Sequence, residues 1–238
     1  MRHFVVEKKS KSYKKAKRIW EEFKKDIKEE NRFFSGKKIV EVLNTEEALD
    51  ISTFHTTGTK FVLYRARIGN YVNLDDSEMK RPPIGMHSMG RCNPMGIPYL
   101  YLADKEETAM KETRARIGDL VTIAKVEVGG VYSFFDLSSQ EIKSSSINES
   151  FIFDKKVANL VYIINRDFTK RIDEHEKLEY LPLQFISEYI KNRKFDGFMY
   201  QSSLDPKGTN YVIFNPNRYS IIEKSLYKIH ENGVEKIV

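Results

Sequence analysis

Several strand-like runs in this chain are joined by short, hairpin-compatible connections, and nothing restricts its fold more. Phe198–Ser202 and Asn210–Asn215 flank the turn LDPKG, Val121–Val128 and Val131–Leu137 flank Gly129-Gly130, and the tail after Tyr219–Glu223 turns over Asn232-Gly233. Side-by-side parallel strands need crossovers of about a dozen residues or more. Helical stripes over Phe151–Phe168 and Leu181–Lys194 fall between the strands without a βαβ rhythm. The pattern predicts an α+β fold of mostly antiparallel strands with flanking helices.

A helix is also expected at the N-terminus, where Tyr13, Ala16, Trp20, Phe23 and Ile27 recur at spacings of three and four. It bears on how the net charge of +6 is read. Residues 1–30 hold 11 Lys and Arg against 6 Asp and Glu, leaving 29 against 28 in the rest of the chain. The body is nearly neutral, so the lysines read as the wet face of one amphipathic helix and not as a nucleic-acid or membrane footprint. That helix is expected to pack on the core or on a partner chain, which leaves homo-oligomerisation open. We divide the chain into a helical extension over residues 1–55 and one domain over 56–238. Phe33–Gly36 breaks the first helix, and Asn44 with Glu47 has the spacing to start another helical turn. A single cysteine, Cys92, excludes an internal disulfide framework, and no bilayer-length apolar run or signal-peptide pattern occurs near the start. The expected location is the cytoplasm.

Lys60–Ile68 reads as the first core strand, with Phe61, Leu63, Arg65 and Arg67 on one face. Two arginines thus continue an apolar face. Such a residue pairs with a carboxylate, sits near a strand end at the surface, or waits for an anion. From Asn70 to Pro98 periodicity vanishes among Pro82, Pro83, Gly85, Gly90, Pro94 and Gly96, the mark of a long loop of the kind that often covers a site. Then Ile97–Ala103 alternates as a strand, Tyr99 and Tyr101 opposite Leu100 and Leu102. Asp104 with Glu107 has capping-box spacing, so a helix should start there and carry Ala109, Glu112 and Arg116 along one side. Glu112 is then either exposed at a margin or held in a cleft.

Most catalytic chemistries find no support. His3, His55, His87, His175 and His230 never fall at ligand-like spacings and no second cysteine exists, which argues against a metal. Gly90 and Gly96 fit neither the P-loop nor the dinucleotide fingerprint, and no G-x-S-x-G elbow occurs. Cys92 beside His87 could be a nucleophile, but a lone cysteine near a proline is more often filler.

The residues that remain carry a resemblance. YRAR (64–67), GRCNPMGIPYLYLADKEETAMKETR (90–114) and FDGFMYQSSLDPKGTNYVIF (195–214), with LPLQFISEYI before the last block, resemble the RES domain family in order and spacing. The resemblance covers about residues 60–216. It implies an ADP-ribosyltransferase-like core and an enzyme that cleaves the nicotinamide N-glycosidic bond of NAD by phosphorolysis or hydrolysis, as the toxin of a toxin-antitoxin pair. The alternative it implies is a protein ADP-ribosyltransferase with NAD as donor. By position, Arg65 matches the family arginine, Arg91 the second arginine, Tyr101 the tyrosine, Glu112 the glutamate and Ser202 the serine, with Ser203 directly behind it. Gln201 stands where the family often has proline, and Cys92 where an aromatic residue is common. NAD would be substrate, inorganic phosphate a candidate co-substrate, and no catalytic cofactor is implied; an antitoxin would be a separate chain. The chemistry agrees on its own terms. Arginine forks suit a pyrophosphate, Tyr101 suits a flat ring, and nicotinamide leaves as a neutral group, so one carboxylate suffices where ordinary glycosides need two. If phosphate is the acceptor no base is needed, and Arg67 or Arg91 would be the cation near the attack face.

Overall fold

The structure, a computed structural model, describes residues 3–4, 7–45, 53–56, 58, 60–85, 89–138, 142–143, 155–170, 172, 176–216 and 219–238. Helix α1 (Lys11–Glu29) begins where the Ser10 hydroxyl accepts the Tyr13 amide and buries Tyr13, Ala16, Trp20, Phe23 and Ile27, the stripe its spacing predicts. After the break at Phe33–Gly36, α2 (Lys37–Leu43) follows. Asn44 caps the C-terminus of α2, and the helical turn expected from Asn44 to Glu47 runs outside the described residues.

The strands are β1 (His3–Phe4), β2 (Thr53–His55), β3 (Phe61–Ile68), β4 (Leu100–Ala103), β5 (Leu120–Val128), β6 (Ser133–Asp136), β7 (Ile142–Lys143), β8 (Gly197–Gln201), β9 (Thr209–Ile213), β10 (Tyr219–His230) and β11 (Gly233–Lys236). Among the described residues the further α-helices are α3 (Glu106–Glu112), α4 (Lys155–Phe168) and α5 (Tyr180–Asn192). Residues 144–154, which hold most of the expected polar loop and the start of the expected helix, lie outside the described residues. Nine strands form one sheet in the order β11-β10-β5-β3-β4-β9-β8-β6-β2, antiparallel at every step except β6–β8; β1 pairs with β7 apart from it. This is an α+β fold with a mostly antiparallel sheet and flanking helices, as the short connections require.

The sheet separates two apolar clusters. On one side α1, α2, α4 and α5 pack over Tyr99, Phe135, Phe198 and Val212. On the other, Leu63, Leu100, Leu102, Val126, Phe134 and Ile213 bury among themselves. The alternation of Tyr99 and Tyr101 against Leu100 and Leu102 is therefore real, and both faces of β4 are covered. Helix α1 belongs to the same cluster as the sheet residues. It is clamped by Asp167 of α4, which accepts Trp20 Nε1 at 2.6 Å and Lys24 Nζ at 3.0 Å.

Four details expected from the sequence come out differently, the first two for packing reasons. β5 and β6 do not form a hairpin, although Gly129-Gly130 permits one. The places beside β5 are taken by β3 and β10, and β6, with Phe134 and Phe135 buried on opposite faces, is drawn between β2 and β8. Nor does Asp104 cap α3. Its carboxylate accepts the Thr209 amide at 2.9 Å and so ties β4 to β9, leaving Lys105 as an N-cap without a side-chain bond. The helix ends at Glu112, so Arg116 is outside it. In the tail, His230 pairs with Gly233, which puts the turn on Glu231 and Asn232.

Candidate functional site

Strands β3 and β4 are neighbours in the sheet through one residue pair, Tyr64 with Ala103, whereas β3 pairs with β5 along its full length. Where β3 and β4 splay, the backbone is freed from the ladder and a cleft of about 320 Å³ opens, a size suited to a small ligand. Arg65 spans the splay, its Nη1 donating to the Tyr101 carbonyl at 3.4 Å. The remaining walls come from α3, the 202–210 segment and the start of α5.

The acidic corner is built by a turn. Between β8 and β9 the Ser202 hydroxyl accepts the amides of Leu204 and Asp205 at 3.1 and 3.0 Å, while the Asp205 carboxylate takes the buried Thr108 hydroxyl at 2.6 Å. That hydrogen bond holds the Asp205 carboxyl below the usual carboxylate range. Gly208 lets the turn lie on α3, since a Cβ there would stand 2.2 Å from the Thr108 Oγ1. The turn is thus pinned to α3, and its next bond reaches the last residue of that helix. Glu112 Oε1 accepts from Ser202 Oγ at 2.6 Å and from Asn210 Nδ2 at 2.7 Å. Glu112 is exposed at the cleft mouth, and both donors are buried. Ser203, not Ser202, lines the cleft.

The cationic wall is held differently. Arg65 is half-buried, its Nε has no hydrogen-bond partner among the described residues, and burial, with the charge of Arg67 adding, lowers its pKa to about 10. It stays charged at neutral pH. Arg91 donates to the carbonyl of Phe168 at the end of α4. Its loop is fixed by the buried Gln184 of α5, whose amide donates to the Gly90 carbonyl at 2.7 Å, and by the Tyr101 hydroxyl, which donates to Asn93 Oδ1 at 2.7 Å and receives the Cys92 amide at 3.3 Å. A Cβ on Gly90 would sit 2.4 Å from that same Asn93 oxygen, so a larger residue here would displace the acceptor of the Tyr101 hydroxyl. Arg67 does not line the cleft; it pairs with Glu78 at 3.3 Å and lies over Tyr71.

Six of the expected residues therefore converge, but in three ways. Arg65, Arg91, Tyr101 and Glu112 line the cleft, Ser202 supports Glu112 from behind, and Ser203 faces the cavity. The Tyr101 ring is available while its hydroxyl is spent on the loop. Cys92 is fully buried with its thiol pushed up to about 12 by burial, so it is a packed side chain and no thiolate; His87 lies outside the described residues. Burial likewise pushes the Tyr101 and Tyr200 phenols well up. Sequence reasoning missed Asn210, Tyr180, Tyr200 and Arg114, all cleft residues. Asn210 was the findable one: an amide inside a buried strand requires a partner. Among the described residues no group of three or more His, Cys, Asp or Glu could hold a metal ion, and no helix is long and apolar enough to cross a membrane.

Comparison with known proteins follows from the same stretches. The model of the family described as the RES domain matches residues 62–230. No curated protein matches the chain. Among solved structures, a chain of the M. tuberculosis MbcT-MbcA toxin-antitoxin complex is similar, with 13% identity and a TM-score of 0.48 over 79% of this chain and 91% of that one.

Proposed function

The chain belongs to the RES domain family, and from that premise and the cleft we propose that it cleaves the nicotinamide N-glycosidic bond of NAD, by phosphorolysis or hydrolysis, as the toxin of a toxin-antitoxin pair. One observation carries the reading. A single carboxylate, Glu112, held by two buried donors, shares a cleft with arginines that pair with no described carboxylate.

In this reading Arg65 and Arg91 take the diphosphate, using guanidinium edges that now reach only backbone carbonyls. The Tyr101 ring offers a flat apolar contact. As the C–N bond breaks, its electron pair goes to the nicotinamide nitrogen, which leaves uncharged, and the ribosyl carbon becomes cationic. Glu112 stabilises that cation; a fixed electrostatic contact of this kind is worth on the order of 10²–10³ in rate. Ser202 and Asn210 are positioning residues, which spare the carboxylate any reorganisation during the reaction. The antitoxin would be a separate chain.

The test is nicotinamide release from NAD by the purified protein, with and without inorganic phosphate. Release in either condition, abolished by Glu112→Ala, is expected. No release, or release undiminished by Glu112→Ala, would sink the proposal, and labelled ADP-ribose accumulating on protein would replace it with transfer to a protein acceptor.

A further inference from the structure

Helix α1 precedes the segment that the family model matches, and it has no part in the chemistry proposed above. Its contacts with the rest of the chain are more than an apolar stripe. Trp20, Lys24 and Lys28 follow one another at intervals of four, so they form one row along the helix surface. Trp20 Nε1 and Lys24 Nζ both reach Asp167 Oδ2, at 2.6 and 3.0 Å, and Lys28 Nζ reaches Glu179 at 2.7 Å. Lys170 pairs with the other oxygen of Asp167. Burial opposes the charge of that carboxyl, yet its bonds to Lys170, Trp20 and Lys24 hold it below the usual carboxylate range.

Docking α1 does not by itself require this arrangement. Taking a carboxylate and an ammonium out of water costs about as much as their pairing returns, and well-packed apolar side chains would hold the helix as firmly. What the hydrogen-bonded pair adds is a fixed position. The position fixed is the end of α4, because Asp167 is followed by Phe168, the last residue of that helix. A carbonyl there has no partner within its own helix, and that of Phe168 accepts Arg91. The Phe168 ring is fully buried with its centroid 5.4 Å from those of Phe198 and Tyr200, and Tyr200 lines the cleft. Glu179 stands in the same relation to Tyr180, another cleft residue. The contacts of this row thus fall one residue away from groups that hold or line the site. Helix ends fray unless they are held, so whatever holds the end of α4 also steadies Arg91.

We propose that Trp20 and Lys24 are positioning residues for the diphosphate of the substrate: through Asp167 they fix the last turn of α4, and through the Phe168 carbonyl that turn aims Arg91 into the cleft. This rests on the NAD-cleaving reading and extends its machinery to a helix outside residues 62–230. The diphosphate is remote from the bond that breaks. Loss of the brace therefore weakens ground-state and transition-state binding alike, and the effect falls on KM and not on kcat.

Nicotinamide release by the full chain tests this. Trp20→Phe keeps an aromatic ring and removes the donor, and Lys24→Met keeps the stem and removes the charge. Each is expected to raise the NAD KM about fivefold with kcat changed less than twofold, while Lys24→Arg should keep KM within about twofold of the parent. Lys24 is partly exposed, so its variants keep the test open if Trp20→Phe folds poorly. Ile27→Val, a truncation at a buried position of the same helix, should lower Tm and leave KM unchanged. An NAD KM that neither Trp20→Phe nor Lys24→Met moves would overturn the proposal. So would an equal rise in Ile27→Val, which would make α1 a source of general stability only. Absence of release by the parent would fail the NAD-cleaving reading, and the positioning role with it.

Discussion

On one side of the cleft Glu112, Ser202, Asn210, Asp205 and Thr108 close a hydrogen-bond network, whereas on the other Arg65 keeps a buried nitrogen without a described partner and Arg91 holds only a carbonyl. The acidic corner was completed by folding. The cationic wall was not. A buried, unsatisfied donor costs roughly 1–3 kcal/mol, a penalty that an incoming anion removes. On the proposed reading, one wall is organised in advance of the reaction and the other stores part of the affinity for the ligand.

The largest test of that contrast is Glu112→Gln. It preserves an oxygen for Ser202 and Asn210 but removes the charge, so kcat should fall on the order of 10²–10³-fold while Tm stays near that of the parent. A similar drop in Tm would mean the corner serves the fold. Next is Arg65→Met, which should act in the opposite sense on the two readouts. Loss of a charged hydrogen bond to substrate should raise the NAD KM roughly 10–100-fold, while relief of the unsatisfied nitrogen raises the Tm of the free protein by about 2–4 °C. A lower Tm would show that the cationic wall is as structural as the acidic one.

A smaller effect is expected of Ser202→Ala. Its hydroxyl bonds Glu112 and two turn amides, so kcat should fall about tenfold, equivalent to about 1.4 kcal/mol, at unchanged KM, with rescue by Ser202→Thr. A change confined to KM would instead make it a substrate contact. The smallest is Asp205→Ala, which should lower stability at neutral pH by about 1 kcal/mol through loss of the Thr108 bond. Because the folded carboxyl is held below its unfolded value, that stabilisation is full above the unfolded pKa and is lost as the pH falls through the folded one. The Tm gap between parent and variant should therefore close below about pH 4; a gap that persists in acid would show that another contact pins the turn.

Much of the fold was legible because it rests on local periodicity. The stripe of α1, the alternation of β4 and the LDPKG turn needed only neighbours a few residues away. The site was legible in part: Arg65 announced itself as a charge on an apolar strand face, and Glu112 by sharing a helix face with Ala109. Ser202 and Ser203 could not be told apart, since which hydroxyl turns back to the helix depends on the turn geometry. Asp104 looked like a cap from its spacing, and only the approach of β9 gave its carboxylate another donor. The Gly129-Gly130 hairpin failed for the same kind of reason, a competition among strands distant in sequence.

The sequence by itself determined the α+β class and the amphipathic first helix, because these follow from short-range spacing, while the resemblance to the family supplied the candidate site residues. Tertiary structure alone decided that β3 and β4 part after one residue pair, that Ser202 and Asn210 both aim at one oxygen of Glu112, and that Arg65 is left partly unsatisfied. Those outcomes depend on which of many long-range pairings wins, a balance of burial and hydrogen bonding that no stretch of the chain carries on its own.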